Sequence, residues 1–238
     1  MGENITMKSE ILLLSGSYRG NKTTSNSILK YLSQHIKNKH YLIKQLKLSS
    51  RLPDKKNHDL VFSHINSADL IVLCSPKYNL SLPAPVMYLF EMLHQRKDEL
   101  IEKTRKFISI LQFEAPIGGT TAQKICRNFS DNMGFYWYGD LTLPAAGEIK
   151  GRPLEETDNM MKNIRRSIVM TGEAISDGMP VPEKARKIGK KQMPTWLIIL
   201  IVNSLIKQYC KKNNIDIFKA PYQNELGLWD DKSKYYKV

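Results

Sequence analysis

The stretch Ile11-Leu12-Leu13-Leu14-Ser15-Gly16-Ser17-Tyr18-Arg19-Gly20-Asn21-Lys22-Thr23-Thr24-Ser25-Asn26-Ser27 changes character abruptly at its middle. A short apolar run stops at a loop rich in hydroxyls, glycine and positive charge. A helical pattern begins at Ile28. Strand, loop, helix is a physical recipe for holding a phosphate: N–H groups at a helix start have no intrahelical acceptor, and the helix dipole favours an anion there. Ser15, Ser17, Thr24, Ser25, Asn26 and Ser27 supply polar side chains, and Arg19 or Lys22 supplies charge. The loop lacks the G-x-x-x-x-G-K-[ST] spacing of a Walker A sequence, and it does not read G-x-G-x-x-G. Few glycines and many hydroxyls suit one monoester phosphate wrapped by side chains better than a pyrophosphate approached by bare backbone. The same residues also suit an ordinary capped helix start, and the spacing leaves both readings open.

Outward from this loop, the chain alternates. Ile11–Leu14 reads as a buried strand, Ser27–Lys37 as a helix, and Tyr41–Leu48 as a strand near an edge. Asp59–Asn66 reads as a short helix, Ala68–Cys74 as a central strand, and Pro83–Gln95 as a helix with proline near its first turn. Phe107–Leu111 is the next buried strand, Thr120–Met133 a helix, Gly134–Leu143 a strand, and Leu154–Ser176 a long amphipathic helix. Repeated β-α units with short connections predict a doubly wound, five-stranded parallel sheet with helices on both faces. In such sheets ligands sit outside the carboxyl ends of the strands, at a topological switch point. The loops 15–27, 75–81 and 112–119 are therefore expected to share one site.

Composition bounds the alternatives. The 238 residues suffice for one α/β domain with an extension. The net charge of +13 is spread along the chain and carries no aromatic-interleaved basic motif, so nucleic acid is not an expected partner. The three cysteines, Cys74, Cys126 and Cys210, are far apart and form no C-x-x-C pair, which argues against a disulfide framework or a bound metal. The first ten residues carry no signal-peptide core, and the longest apolar run, Trp196–Val202, is too short to span a bilayer; the expected location is cytoplasmic. After residue 178 the pattern changes. Met179-Pro180-Val181-Pro182 breaks the helix, Lys184–Lys191 packs five basic residues into eight, and Met193–Tyr209 reads as a further helix. The expected division is a domain over 1–178 and a helical extension over 179–238 that packs on the core or on a second subunit. Contact with a membrane surface is the less favoured use of its basic run and apolar helix.

Two segments resemble a known family. The loop Ser15-Gly16-Ser17-Tyr18-Arg19 with Ser25-Asn26-Ser27 is similar to the phosphate loop of the flavodoxin-like NAD(P)H-dependent FMN reductases. Ala68-Asp69-Leu70-Ile71-Val72-Leu73-Cys74-Ser75-Pro76-Lys77-Tyr78-Asn79-Leu80-Ser81-Leu82-Pro83-Ala84 resembles their second signature, a strand followed by S-P-x-Y-N-x-S-x-P-A. The resemblance covers residues 8 to 178 and does not reach the tail. It implies a flavodoxin-like fold, FMN as cofactor, NAD(P)H as electron donor, and a quinone, nitro or azo compound or free flavin as acceptor, in a homodimer. It places Pro76, Lys77, Tyr78 and Asn79 along the flavin ring, with Gln112, Phe113 and Gly118 from the third loop. No protein acid is implied, because the chemistry belongs to the cofactor. Tyr78 suits the wall of a flat ring and Asn79 its carbonyl and imide edge, although both also suit an ordinary turn beside Pro76; Lys77 either supplies a cation to a reduced, anionic ring or simply faces solvent. The alternatives are a flavin-binding electron carrier, against which the basic charge counts, and a flavin-free scaffold with a basic membrane-surface segment.

Overall fold

The computed structural model describes residues 9–19, 22–37, 41–78, 80–113, 120–191 and 195–213. Its frame is one parallel sheet of five strands: β1 Ser9–Ser15, β2 Tyr41–Lys47, β3 Leu70–Pro76, β4 Lys106–Phe113 and β5 Tyr136–Pro144. The spatial order is β2-β1-β3-β4-β5, so the winding direction reverses between β1 and β3. The inner strands are buried on both faces and read as nearly continuous apolar runs, as parallel strands covered by helices must. The edge strand β2 is half-exposed and carries Lys44 and Lys47, charges that discourage pairing with another chain.

The alternation of a pleated strand sorts the core into two layers. Leu12, Leu14, Ile71 and Leu73 point to one face, where α3 (His58–Ser67), α4 (Ala84–Gln95) and α5 (Thr121–Asn132) lay down Ile65, Leu89, Phe90 and Phe129. There the Phe90 and Phe129 rings stack with centroids 3.7 Å apart, and Phe107 meets Phe129 edge-on. Ile11, Leu13, Val72 and Cys74 point to the other face, against Ile28, Leu29 and Leu32 of α1 (Thr24–Gln34) and Ile164 and Ile168 of α6 (Lys162–Ser176). The short α2, Leu48–Arg51, follows β2. This is the flavodoxin-like architecture.

Two expectations shift. The first helix starts at Thr24 rather than Ser27, because Thr23 Oγ1 accepts the Asn26 N–H at 3.2 Å and caps it early. The stretch 154–176 is not one helix. Two 3₁₀ turns, Leu154–Glu156 and Asn159–Met161, precede α6. Asp158 caps the second of them by accepting the Met160 N–H at 3.0 Å, and Arg165 Nη1 donates to the carbonyls of Thr157 at 2.8 Å and Asp158 at 3.0 Å. Helical periodicity through this region therefore reports burial of Leu154, Met161 and Ile164 rather than one continuous helix.

The segment after residue 178 begins within the first compact unit. The first compact unit runs Met1–Gln192 and the second Met193–Val238. The basic run folds as α7, Glu183–Gly189, with Ala185 and Gly189 buried. Ser167 Oγ donates to the Ala185 carbonyl at 2.9 Å, and Arg186 pairs with the buried Asp140 of β5 at 2.9 Å. Val181 N donates to the Tyr138 carbonyl at 2.9 Å. Charge counting sees the exposed lysines of this segment and misses the small residues that dock it on β5 and α6. In the second unit the described element is α8, Thr195–Lys212.

Candidate functional site

The carboxyl ends of β1, β3 and β4 and the loops that leave them meet at the reversal point of the sheet. The first loop is drawn in by Gly16, whose N–H donates to the Cys74 carbonyl at 2.8 Å. A Cβ at Gly16 would lie 2.5 Å from Val86 Cγ2 and 2.8 Å from Ser75 Oγ. Only glycine lets the loop pass this close to the first turn of α4. Ser15 and Ser17 are buried, and Ser15 Oγ has no hydrogen-bond partner among the described residues. Tyr18, Arg19 and Lys22 are exposed on the outer side of the loop.

Helix α1 then begins, and its first N–H groups, on Thr24 and Ser25, have no acceptor within the helix. Thr24, Asn26 and Ser27 are half-buried. The Ser27 hydroxyl turns back on the helix and donates to the Thr23 carbonyl at 3.3 Å. Ser25 is fully buried and faces inward: Gln112 Nε2 donates to Ser25 Oγ at 2.7 Å. Burial pushes the neighbouring Cys74 thiol well above the ordinary thiol range, with the Ser25 hydroxyl acting in the opposite direction. Cys74 is thus an inert core thiol.

The second loop continues the β3–β4 ladder before turning. Lys77 N donates to the Gln112 carbonyl at 2.7 Å. The Lys77 side chain is buried, with its Nζ 4.2 Å from the centroid of the half-buried Phe113 ring. Desolvation lowers its pKa, and the ring face holds the cation. Tyr78 and Ser81 exchange N–H···O bonds of 3.1 and 3.0 Å, which closes a tight turn and leaves Tyr78 half-exposed at its base. Pro76 is half-buried at the end of β3. Of the expected site residues, Asn79 and Gly118 lie outside the described residues.

The structure thus brings Ser15, Ser17, Ser25, Lys77, Gln112 and Phe113 together around the ends of β1, β3 and β4. It leaves Arg19, Lys22 and Tyr78 at the surface. A fourth segment, which sequence reading missed, supports the loop from outside. After β5 the backbone turns left-handed at Ala145 (φ 57°), Lys150 (φ 50°) and Gly151 (φ 74°). A Cβ at Gly151 would sit 2.6 Å from the Lys22 carbonyl carbon and 3.0 Å from Thr23 N. The segment presses backbone to backbone against the entry to α1. The available signal was Gly151-Arg152-Pro153, a turn sequence just before the helical pattern that starts at Leu154.

The donor set fits a monoester phosphate. It combines a helix start, a buried hydroxyl without a partner among the described residues, and two cations on the exposed flank. The adjoining ends of β3 and β4 add an aromatic ring, a buried cation and an amide.

No family model matches the chain, and no curated protein matches it in sequence. Solved structures share its fold. An NADH:FMN oxidoreductase in its apo form superposes with a TM-score of 0.54 at 11% identity, over 75% of this chain and 94% of that one. A flavone reductase gives 0.52 at 13% identity, over 75% and 70%. An FMN-dependent NADH-azoreductase from Bacillus anthracis, in complex with FMN, gives 0.50 at 10% identity, over 71% and 99%.

Proposed function

We propose that the chain is an FMN-dependent NAD(P)H oxidoreductase that delivers two electrons to a small acceptor, such as a quinone, a nitro or azo compound, or free flavin. The observation that carries this reading is the convergence, at the β1/β3 reversal point, of a hydroxyl-lined helix start with the Pro76–Tyr78 turn and the Gln112–Phe113 strand end. Doubly wound sheets bind ligands at such a crevice. The shared fold and the resemblance of the two signature segments support the choice of ligand.

In this reading the start of α1, with Ser15, Ser17 and Thr24, receives the phosphate of FMN, and Arg19 and Lys22 attract it from outside. Pro76, Lys77, Tyr78 and Asn79 are assigned to the ring, together with Gln112, Phe113 and Gly118. FMN held here would supply two-electron redox chemistry between NAD(P)H and the acceptor. The chain's own residues bind, orient and tune. The Lys77 ammonium, poised over Phe113, favours negative charge on the neighbouring ring edge. Exposed Tyr18 and Tyr78 offer flat surfaces against which a planar acceptor stacks. A second copy of the chain completes the pocket, and the protein works in the cytoplasm.

Purified protein, saturated with FMN and dialysed, is expected to retain flavin absorption bands and to oxidise NADH or NADPH when a quinone is added. Retained flavin without nicotinamide turnover would assign the electron-carrier role instead. Failure to retain FMN would overturn the cofactor assignment.

A further inference from the structure

Helix α8 spans Thr195–Lys212 and carries no acidic residue. The sequence sets apolar residues at 198, 202, 205, 206 and 209, the spacing of one helical stripe. On that stripe Ile206 is 44% and Tyr209 64% exposed. Ser204, Lys207 and Lys211 repeat at a second helical spacing and are all exposed, as is Lys212. The exposed Ile206 and Tyr209, beside the exposed Lys207 and Lys211, suit an occupant that is apolar inside and negative outside.

We infer that α8 lies in the surface of an anionic lipid bilayer, with the Ile206–Tyr209 stripe inserted and the lysines at headgroup level. Two arguments select this occupant. The first is charge. A second copy of α8 would bring lysine stripes on a chain of net charge +13 toward another of the same sign, whereas anionic headgroups complement them. The second is length against polarity. No described helix is long and apolar enough to cross a membrane. A helix of 18 residues extends about 27 Å, close to the hydrocarbon thickness, so spanning would drag Lys207 into the apolar interior. Lying in the interface leaves every ammonium wet while the aromatic Tyr209 takes the boundary position that amphipathic rings favour.

The test is co-sedimentation of the full chain with vesicles of phosphatidylcholine alone and of phosphatidylcholine with phosphatidylserine. The expected result is binding to the anionic vesicles at low salt, little to the neutral ones, and release as salt is raised. Each lysine removed should weaken binding roughly fivefold, so the triple variant Lys207→Gln/Lys211→Gln/Lys212→Gln should lose on the order of a hundredfold. Ile206→Asp should abolish binding, while these exposed substitutions leave the circular dichroism spectrum and melting temperature of the chain unchanged. Absence of binding to anionic vesicles at low salt, or equal binding to both lipids, would overturn the inference. So would a light-scattering mass of a dimer that Ile206→Asp halves, because a second copy would then cover the stripe.

Discussion

Gln112 Nε2 donates a hydrogen bond to Ser25 Oγ at 2.7 Å, between two side chains 87 positions apart in sequence and both out of solvent. The bond ties the end of β4 to the first turn of α1. It turns one expected phosphate ligand away from the loop surface and makes it the peg on which the loop hangs. Ser17, by contrast, is buried in the loop itself and takes no part in that link. Two serines that look equivalent in sequence therefore carry different work.

Ser17→Ala and Ser25→Ala are expected to separate. Loss of a hydroxyl donor to a phosphate costs about 1.5–3 kcal/mol, so Ser17→Ala should weaken FMN binding roughly 10- to 100-fold while moving urea unfolding of the apo-protein less than Ser25→Ala does. Ser25→Ala should lower stability as well, because it strands the Gln112 amide. Equal effects of both variants on stability would contradict the assignment.

Gln112→Leu removes the donor and leaves Ser25 Oγ buried. A buried polar group deprived of its partner costs about 1–3 kcal/mol. Equilibrium urea unfolding, read by tryptophan fluorescence, should show a destabilisation in that range, and FMN titration should show weaker binding from a loosened α1 entry.

Gly151→Ala tests the backbone contact with Lys22 and Thr23. The new Cβ meets immovable backbone atoms at 2.6 Å, and alanine resists the left-handed conformation at φ 74°. A loss of about 1–3 kcal/mol is expected from the strain. FMN affinity should fall, although residue 151 is not assigned any contact with the ligand. Unchanged affinity in the folded variant would show that this segment does not shape the site.

Lys77 makes stability depend on pH in a set direction. Its folded-state pKa is lowered by desolvation, so the unfolded chain binds this proton more tightly than the folded one. The buried charge therefore opposes folding at neutral pH, and the penalty fades as pH rises through the depressed folded pKa toward the ordinary lysine value. Compared with Lys77→Met, the wild type should gain relative stability between pH 7 and 10, measured as the difference in urea midpoints so that the other lysines cancel. A difference that stays flat or moves the other way would show that the ammonium is not desolvated.

Most of the sheet was legible from periodicity. Runs such as Ile11–Leu14 and Ala68–Cys74 have the length and unbroken apolarity of strands covered on both faces, and the loops after them carry the polar residues that now surround the site. Illegible from spacing were the inward turn of Ser25, the burial of Lys77 and the support from Gly151. Each depends on a partner more than thirty positions away: Gln112 for Ser25, Phe113 for Lys77, and Lys22 for Gly151. The break at 154–161 escaped because 3₁₀ turns bury residues at a spacing close to that of an α-helix.

Local patterns, then, determined the strands, the helices and the positions of the polar loops, because propensity and alternation act over a few residues. Tertiary structure alone decided which hydroxyl faces the loop and which faces the core. It also decided that a lysine rests on an aromatic ring and that the segment over 181–191 docks on β5 and α6. Those outcomes follow from close packing and the need to satisfy buried polar groups, and both are settled only when distant segments meet.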